Sequence, residues 1–450
     1  MNPARTLLGA VEGLFDRALC VIGAVIFSQM PEFMQQYLQR LGGHLDEARR
    51  QLQQFQQTAA QSGLTVPNTF GGKDKKDSIL ESTGTGAAIF DFDGDGANDI
   101  FIANGPPSRS ELYRNDGTGH FKEVGQQAGL TRTGWAQAAC VGDIDNDGHP
   151  DLFVTYYGHN SLYRNLGNGK FKDVAVEAGL AFSADGKARA GMGVDVGDFE
   201  NSGKPGVAVT NFDNEMVGLY RATRTGVFDD IATASGVGLA SRNTLGFGCA
   251  FLDVDLDGAL DLAVANGHID ETVRNIRGNT GYAQAPQLFL NQILNQGEAR
   301  FRDVAGEVGG GFDQPRVGRG LAYGDFDRDG DLDILLTTNN GPAFLYRNDQ
   351  TAGNRSIRFR LEGTKSNRDA VGAVVKIFYN GQVQSRTVRG GSSYLSQSEL
   401  PVTFGVGKRD QIDRATIDWP SGRNQEFKNL GAGTTYQCIE TKGLTKYMGP

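Results

Sequence analysis

A mainly β fold is predicted: a β-propeller of about five recognisable four-stranded blades, a small β-sandwich-like domain after it, and an N-terminal helical segment before it. Three observations lead there. An aspartate- and glycine-rich loop recurs five times, its first aspartates at Asp91, Asp143, Asp198, Asp253 and Asp325, at intervals of 52, 55, 55 and 72 residues. Each loop is followed by the same series of short strand-like pieces, and four such pieces in about 50 residues is the pattern of a propeller blade. Glycine is abundant, 63 residues against 13 prolines, with no three-residue period, which suits short strands joined by tight turns.

The chain starts differently. Residues 1–54 contain the apolar run ALCVIGAVIF (18–27), ten residues where a bilayer span needs about 20. Three readings stay open for it: a membrane-associated helix, an export signal, or a packed soluble helix. The next stretch, EFMQQYLQRLGGHLDEARRQLQQFQQ, spaces Phe33, Tyr37 and Leu41 four residues apart and breaks at Gly42–Gly43, the pattern of an amphipathic helical hairpin. FQQTAAQSGL (55–64) matches the fourth piece of the later repeats in its Phe and in its terminal small residue, Gly and Leu. It reads either as a strand completing the last blade or as a continuation of the helix.

In the first repeat GAAIF (86–90) enters the loop, DIFIA (99–103) leaves it, ELYRN (111–115) follows and HFKEV (120–124) closes. The third piece returns as SLYRN (161–165), GLYRA (218–222), QLFLN (287–291) and FLYRN (344–348). The fourth returns as FKDVAVEAGL (171–180), FDDIATASGV (228–237) and FRDVAGEVGG (301–310). Residues 267–286 read as a surface insertion, and the repeat array is expected over 55–350. Residues 355–441 read as a separate small β-domain, with Asn380-Gly381 as a tight-turn signal between two strand-like runs.

The loop pattern is D-x-D-x-D-G-x-x-D. It supplies Asp91, Asp93, Asp95 and Asp99 in the first copy, and Asp143, Asp145, Asp147 and Asp151 in the second. The fourth copy has Asp253, Asp255, Asp257 and Asp261; the fifth has Asp325, Asp327, Asp329 and Asp333. Four carboxylates in one turn repel one another unless a cation sits among them. Alternate positions converge, and glycine at the sixth permits the turn that brings back the ninth. Ca²⁺ takes six to eight hard oxygens in irregular geometry, whereas Mg²⁺ demands a stricter octahedron. About four Ca²⁺ sites are therefore expected. The third copy, DFENSGKPG, keeps Asp198 and Glu200 but has Ser202 at the fifth position and Gly206 at the ninth, so it should bind weakly or not at all. An EF-hand would need a bidentate Glu at position twelve. Here that position holds Ile102, Val154, Val209, Val264 and Leu336, all apolar and in β-rich runs.

These loops resemble the FG-GAP/VCBS-type repeats of integrin α-chain propellers. Residues 68–440 resemble more closely bacterial ASPIC/UnbV-domain proteins and their animal relatives, the cartilage acidic proteins. The resemblance rests on the serial loops, on LYRN-x-G-x-G-x-F-x-D-V, and on RVGRGLAYGDFDRDGDLD (316–333), GTKSNRDAVGAVV (363–375), GGSSYLSQSE (390–399) and WPSG (419–422). It implies a propeller with Ca²⁺ loops, often of seven blades, followed by a β-domain, located outside the cytoplasm and acting in adhesion or matrix-type binding. The N-terminal segment resembles a bacterial membrane-associated family of unknown function, which implies no activity.

A formal net charge of -9 and the lack of a long basic run exclude a nucleic-acid surface. Cys20, Cys140, Cys249 and Cys438 lie far apart and show no disulfide framework; Cys140 and Cys249 read as small buried residues. His44, His120, His149, His159 and His268 form no metal-ligand spacing, and there is no G-x-S-x-G elbow, P-loop or dinucleotide fingerprint. The expected function is a non-enzymatic Ca²⁺-stabilised scaffold for a protein or glycan. A hydrolase or lyase at the propeller mouth and a structural role at a membrane through residues 1–54 are the alternatives.

Overall fold

The computed structural model describes residues 62–63 and 86–447 apart from 146, 225, 297, 298 and 351. The chain divides into Met1–Thr65 and Val66–Pro450, and every described strand lies in the second unit. The helical segment expected over 1–54, its membrane role and the strand expected at 55–64 lie outside the described residues, save for a turn at 62–63. Among the described residues no helix is long and apolar enough to cross a membrane.

Each loop sits in a hairpin between the first and second strands of an antiparallel sheet. The first sheet orders Ala87–Phe90, Asp99–Ile102, Glu111–Asn115 and Phe121–Glu123. The second orders Ala136–Gly142, Asp151–Gly158, Ser161–Asn165 and Phe171–Asp173. The third runs Val194–Gly197, Gly206–Val209, Gly218–Arg224 and Val227–Asp230; the fourth runs Gly246–Leu252, Asp261–Asn266, Gln287–Asn291 and Phe301–Asp303. The fifth has three strands, Gly318–Gly324, Asp333–Thr338 and Phe344–Tyr346. Register is the same throughout. The residue before each loop pairs with its ninth position: Phe90 with Asp99, Gly142 with Asp151, Gly197 with Gly206, Leu252 with Asp261 and Gly324 with Asp333.

Neighbouring sheets pack through apolar faces. Phe90 and Phe101 of the first meet Leu152 and Phe171 of the second; Cys140 and Phe153 of the second meet Val207 and Tyr220 of the third. Phe251 and Phe289 of the fourth lie against Leu219 and the loop residue Phe199, and Leu321 and Leu336 of the fifth lie against Leu252 and Ala263. The recurring small residue–Gly–Leu tail has a steric origin. Gly129 and Gly179 have φ of +95° and +76°, and a Cβ on either would stand 2.5 Å from the carbonyl oxygen of Phe171 or Phe228, which lies in the last strand of the next sheet. Only glycine allows both that backbone conformation and that approach.

The expected propeller ring is not what forms. Several four-stranded sheets pack in series, but none closes or curls into a barrel, and no strand pairing joins the first sheet to the fifth among the described residues. The first strands, which would face one another in a closed ring, are instead covered by residues 389–399 of the C-terminal part. Ile89 N donates to Gly390 O, Val194 and Ser393 exchange backbone bonds, and Tyr323 O accepts from Glu399 N. Polar backbone along those strands is thereby satisfied without ring closure. Arg389 from the same strap reaches Asp195, fully buried in the third sheet.

The C-terminal residues form two four-stranded sheets around one core. One orders Val402–Gly405, Ser356–Glu362, Thr434–Ile439 and Gly443–Lys446, with the middle pair parallel. The other orders Gln382–Thr387, Val374–Tyr379, Gln411–Asp418 and Asn424–Gly431. Phe359, Phe404, Ile377, Ile417 and Trp419 are buried between them. Asn380 and Gly381 take φ of +47° and +75°, the mirror-image turn that an Asn-Gly hairpin favours.

Glu440 explains two of the tail motifs. Its buried carboxylate accepts from the backbone N–H of Thr364, Lys365 and Ser366 at 2.7, 2.6 and 2.9 Å, from Ser366 Oγ at 3.0 Å, and from the Ser421 hydroxyl. GTKS and WPSG are thus two sides of one carboxylate cradle. Burial alone would raise the Glu440 pKa, but the Ser421 hydroxyl and the backbone amides outweigh it and hold it at about 2. Glu440→Gln should lower unfolding free energy at neutral pH by about 1–3 kcal/mol, because an amide cannot accept all these donors. Urea unfolding should also show the difference shrinking as pH falls from 4.5 toward 2, where wild-type Glu440 itself becomes protonated.

Candidate metal loops

The ninth aspartate is the fixed point of each loop. Asp99 Oδ2 accepts from Phe92 N at 3.0 Å and its Oδ1 from Asn115 N at 2.8 Å. Asp151 does the same with Ile144 N and Asn165 N, Asp261 with Val254 N and Asn291 N, and Asp333 with Phe326 N and Asn348 N, all at 2.7–3.0 Å. One carboxylate therefore ties the second loop residue to the end of the third strand. Around it the loop wraps the first aspartate: Asp91 accepts from the backbone N–H of Gly94, Asp95 and Gly96, and Asp143 from those of Asp147 and Gly148.

Four groups of carboxylates result. Asp91, Asp93 and Asp99 each offer an oxygen within 4.8 Å of the others, as do Asp143, Asp145 and Asp151, Asp253, Asp255 and Asp261, and Asp325, Asp327 and Asp333. Each set is able to hold a divalent ion. The fifth-position residues Asp95, Asp147, Asp257 and Asp329 turn instead to the backbone N–H two residues on, at 2.8–2.9 Å. At the third loop Asp198 accepts from Ser202 N and Gly203 N, and no such group forms there among the described residues.

A test of fit is whether carboxylate oxygens are left facing nothing. Asp93 Oδ1, Asp145 Oδ1, Asp253 Oδ1 and Asp325 Oδ1 are buried without a hydrogen-bond donor, one in each of the four loops, whereas neither oxygen of Asp198 is. An orphaned buried carboxylate oxygen costs several kcal/mol unless a cation faces it, so the four sets fit a hard divalent ion.

The third-strand arginine partly neutralises the loops. Arg114 bridges Asp93 and Asp95, Arg164 bridges Asp145 and Asp147 at 2.6 and 3.6 Å, and Arg347 lies 3.9 Å from Asp327. Leu290 takes that place in the fourth repeat. Burial raises the carboxyl pKa values, with neighbouring aspartates adding and backbone N–H groups opposing. Asp99 is pushed to about 7 and Asp151 to about 8, while fully buried Asp253 and Asp261 are raised well above the usual range.

Two roles escape the loop motif. The asparagine closing the third strand splices adjacent sheets: Asn165 Nδ2 donates to Phe92 O of the preceding loop at 2.8 Å and to Pro150 O of its own at 3.1 Å. Asn291 does the same with Phe199 O and Leu260 O, and Asn348 with Val254 O and Leu332 O. The signal was available, since the repeat lacking the ninth aspartate also has Ala222 where the others have Asn. Asp195, the second, stands at a position held elsewhere by Ala88, Cys140, Ala250 and Ala322.

His268 Nδ1 accepts from Asp270 N at 3.0 Å and its Nε2 faces Asp213 at 3.7 Å, beside Arg277. His120 contacts Thr118 Oγ1 and His159 contacts Asn160 O, each through Nδ1. The imidazole of His149 lies over Gly167.

Two outcomes are expected. Asn165→Ala removes the two splice bonds, to Phe92 O and Pro150 O, and the bond from Gly167 N, and should cost about 1–3 kcal/mol in urea unfolding. In EDTA, aspartates whose folded pKa exceeds their unfolded value near 3.8 favour the fold at low pH and cease to do so as pH rises through about 7 and 8. The melting temperature in EDTA should therefore fall between pH 5 and pH 9, and millimolar Ca²⁺ should abolish the fall.

Comparison with known proteins places these features. The FG-GAP-like repeat profile matches residues 91–154 and 143–209, the ASPIC and UnbV profile matches 363–445, and a family described as a protein of unknown function (DUF2937) matches 11–69. Cartilage acidic protein 1 of Xenopus tropicalis is 27% identical over 418 residues, covering 75% of this chain and 61% of the relative. The Homo sapiens protein of that name is 27% identical over 381 residues, covering 79% of this chain and 53% of the relative. The chain thus spans between half and two thirds of the length of these two relatives. Among solved structures, an Agrocybe aegerita lectin that recognises non-reducing terminal N-acetylglucosamine is 18% identical, covering 58% of this chain and 65% of its own, at a TM-score of 0.32, too low to bear on fold or ligand. The expected bacterial kinship is corrected: FG-GAP-like and ASPIC/UnbV segments are present, and the named relatives are vertebrate.

Proposed function

We propose that this chain is a non-catalytic, Ca²⁺-stabilised binding scaffold that presents its sheets to a protein or glycan outside the cytoplasm. The observation that carries the reading is the set of four buried carboxylate oxygens without donors, one in each complete loop. Asp91, Asp93, Asp95 and Asp99, and their counterparts at 143/145/147/151, 253/255/257/261 and 325/327/329/333, would be side-chain ligands, the fifth-position aspartates also shaping the turn. Calcium is favoured over magnesium because irregular loops mixing carboxylates and backbone suit its flexible coordination, and extracellular modules commonly bind it in the 10⁻⁴–10⁻³ M range. Four divalent ions would offset most of the formal charge of -9. The similarity to cartilage acidic protein 1 supports an extracytoplasmic, adhesive or matrix-type role.

Isothermal titration of the EDTA-stripped chain with Ca²⁺ should give about four sites and a raised melting temperature. Absence of binding heat together with an unchanged melting temperature would overturn the reading.

A further inference from the structure

The fourth loop is covered more fully than the others: the C-terminal domain also touches the fifth, where Arg358 pairs with Asp325, but Phe326, Asp327, Arg328 and Asp329 there stay exposed. Asp253 and Asp261 are each 1% exposed, and Leu256, Gly258 and Ala259 are buried, whereas Gly94, Asp95 and Gly96 of the first loop and Asp147 and Gly148 of the second face solvent. The cover is the C-terminal domain. Asp253 Oδ2 accepts from Gly405 N at 3.1 Å as well as from Gly258 N of its own loop, while its Oδ1 has no donor. Leu256 O accepts from Gly407 N at 2.9 Å, and Asp255 O accepts from Asn354 Nδ2 at 2.7 Å. Leu256 sits at φ +57°, as the fourth loop residue does in the other described copies (Gly94 +76°, Asn201 +51°, Arg328 +67°), so the turn itself sets that conformation and the cover accepts it.

The fit is close on both sides. A Cβ on Gly405 would stand 2.2 Å from Asp253 Oδ2 and 2.5 Å from Leu256 C, and one on Gly258 would stand 2.8 Å from Gln384 Nε2. The same carboxylate therefore gives one oxygen to the C-terminal domain and keeps the other buried without a donor, in a set with Asp255 and Asp261. In the first two loops the first aspartate is satisfied within its own loop, and an arginine of the third strand lies over the site; the fourth has Leu290 there.

Resting on the cation reading above, we propose that the C-terminal domain acts as the lid of the fourth site, so that its ion and the docking of that domain stabilise each other. An ion held by Asp253, Asp255 and Asp261 would fix the carboxylate that Gly405 N binds, and docking would fix the loop and keep water from the ion. Such coupling is reciprocal. The ion in the fourth loop leaves only when the lid lifts, while those in the first and second loops exchange freely.

The test is ion release from the full chain. The Ca²⁺-loaded protein is mixed with excess fluorescent chelator, and the amplitudes count ions per chain. One ion of about four should leave about tenfold or more slowly than the rest, as a tenfold gain in affinity expressed in the off-rate would give. Gly405→Ala should abolish the slow phase and leave the fast ones unchanged, and the milder Asn354→Ala should speed it a few-fold. Should Gly405→Ala fail to fold, the wild-type phases and Asn354→Ala still decide. Release of all ions in one phase, or a slow phase that neither variant alters, overturns the coupling while leaving calcium binding intact. A chain that holds no calcium overturns both.

Discussion

The structure depends on one carboxylate per repeat. The aspartate at the ninth loop position opens the second strand, pairs across the hairpin with the residue before the loop, and gives its two oxygens to two backbone amides. One amide lies within the loop and the other ends the third strand. A single side chain thereby sets the loop's closure, the register of the first hairpin and the position of the third strand. It also brings a negative charge into a nearly dry site beside two further aspartates. Backbone donors lower the cost of that charge but do not remove it, as the raised pKa values of Asp99 and Asp151 show. A cation fits the remaining deficit.

The third repeat shows what the fold does without this device. Gly206 has no carboxylate and Ala222 has no amide, so both the loop staple and the splice to the preceding sheet are missing. The sheet is held another way. Asp195, buried in its first strand, accepts from Phe251 N of the fourth sheet at 2.7 Å and from Arg389 of the C-terminal strap. Burial keeps the Asp195 pKa raised even with Arg389 opposing it, so the pair is a demanding contact that serves position more than stability. A carboxylate stitches this sheet as well, but its partner comes from the distant tail.

That strap also accounts for the open arrangement. A sheet array with exposed first strands must satisfy their backbone and bury their side chains. Residues 389–399 do both, running from Ile89 of the first sheet past Val194 of the third to Tyr323 of the fifth, with Tyr394 packed edge-on against Phe247. The C-terminal residues are thus part of the array's core. The serine-rich GGSSYLSQSE stretch reads as turns and hydroxyls in the sequence; in the fold it is a backbone-bonded cover.

The sequence by itself determined what is local. Loop spacing, the sixth-position glycine, the damaged third copy, the four strand-like pieces of the first four repeats and the Asn-Gly hairpin are all set by contacts within about 30 residues, and periodicity records those directly. Tertiary structure alone decided the rest. Whether the sheets close, which carboxylate oxygens lack donors, why Asp195 is charged and what seals Asp253 depend on contacts such as Arg389 with Asp195 and Gly405 with Asp253, between 150 and 200 residues apart. Such contacts leave no periodic trace, because each is made once. A repeat announces itself by recurring; the single contact that finishes it does not.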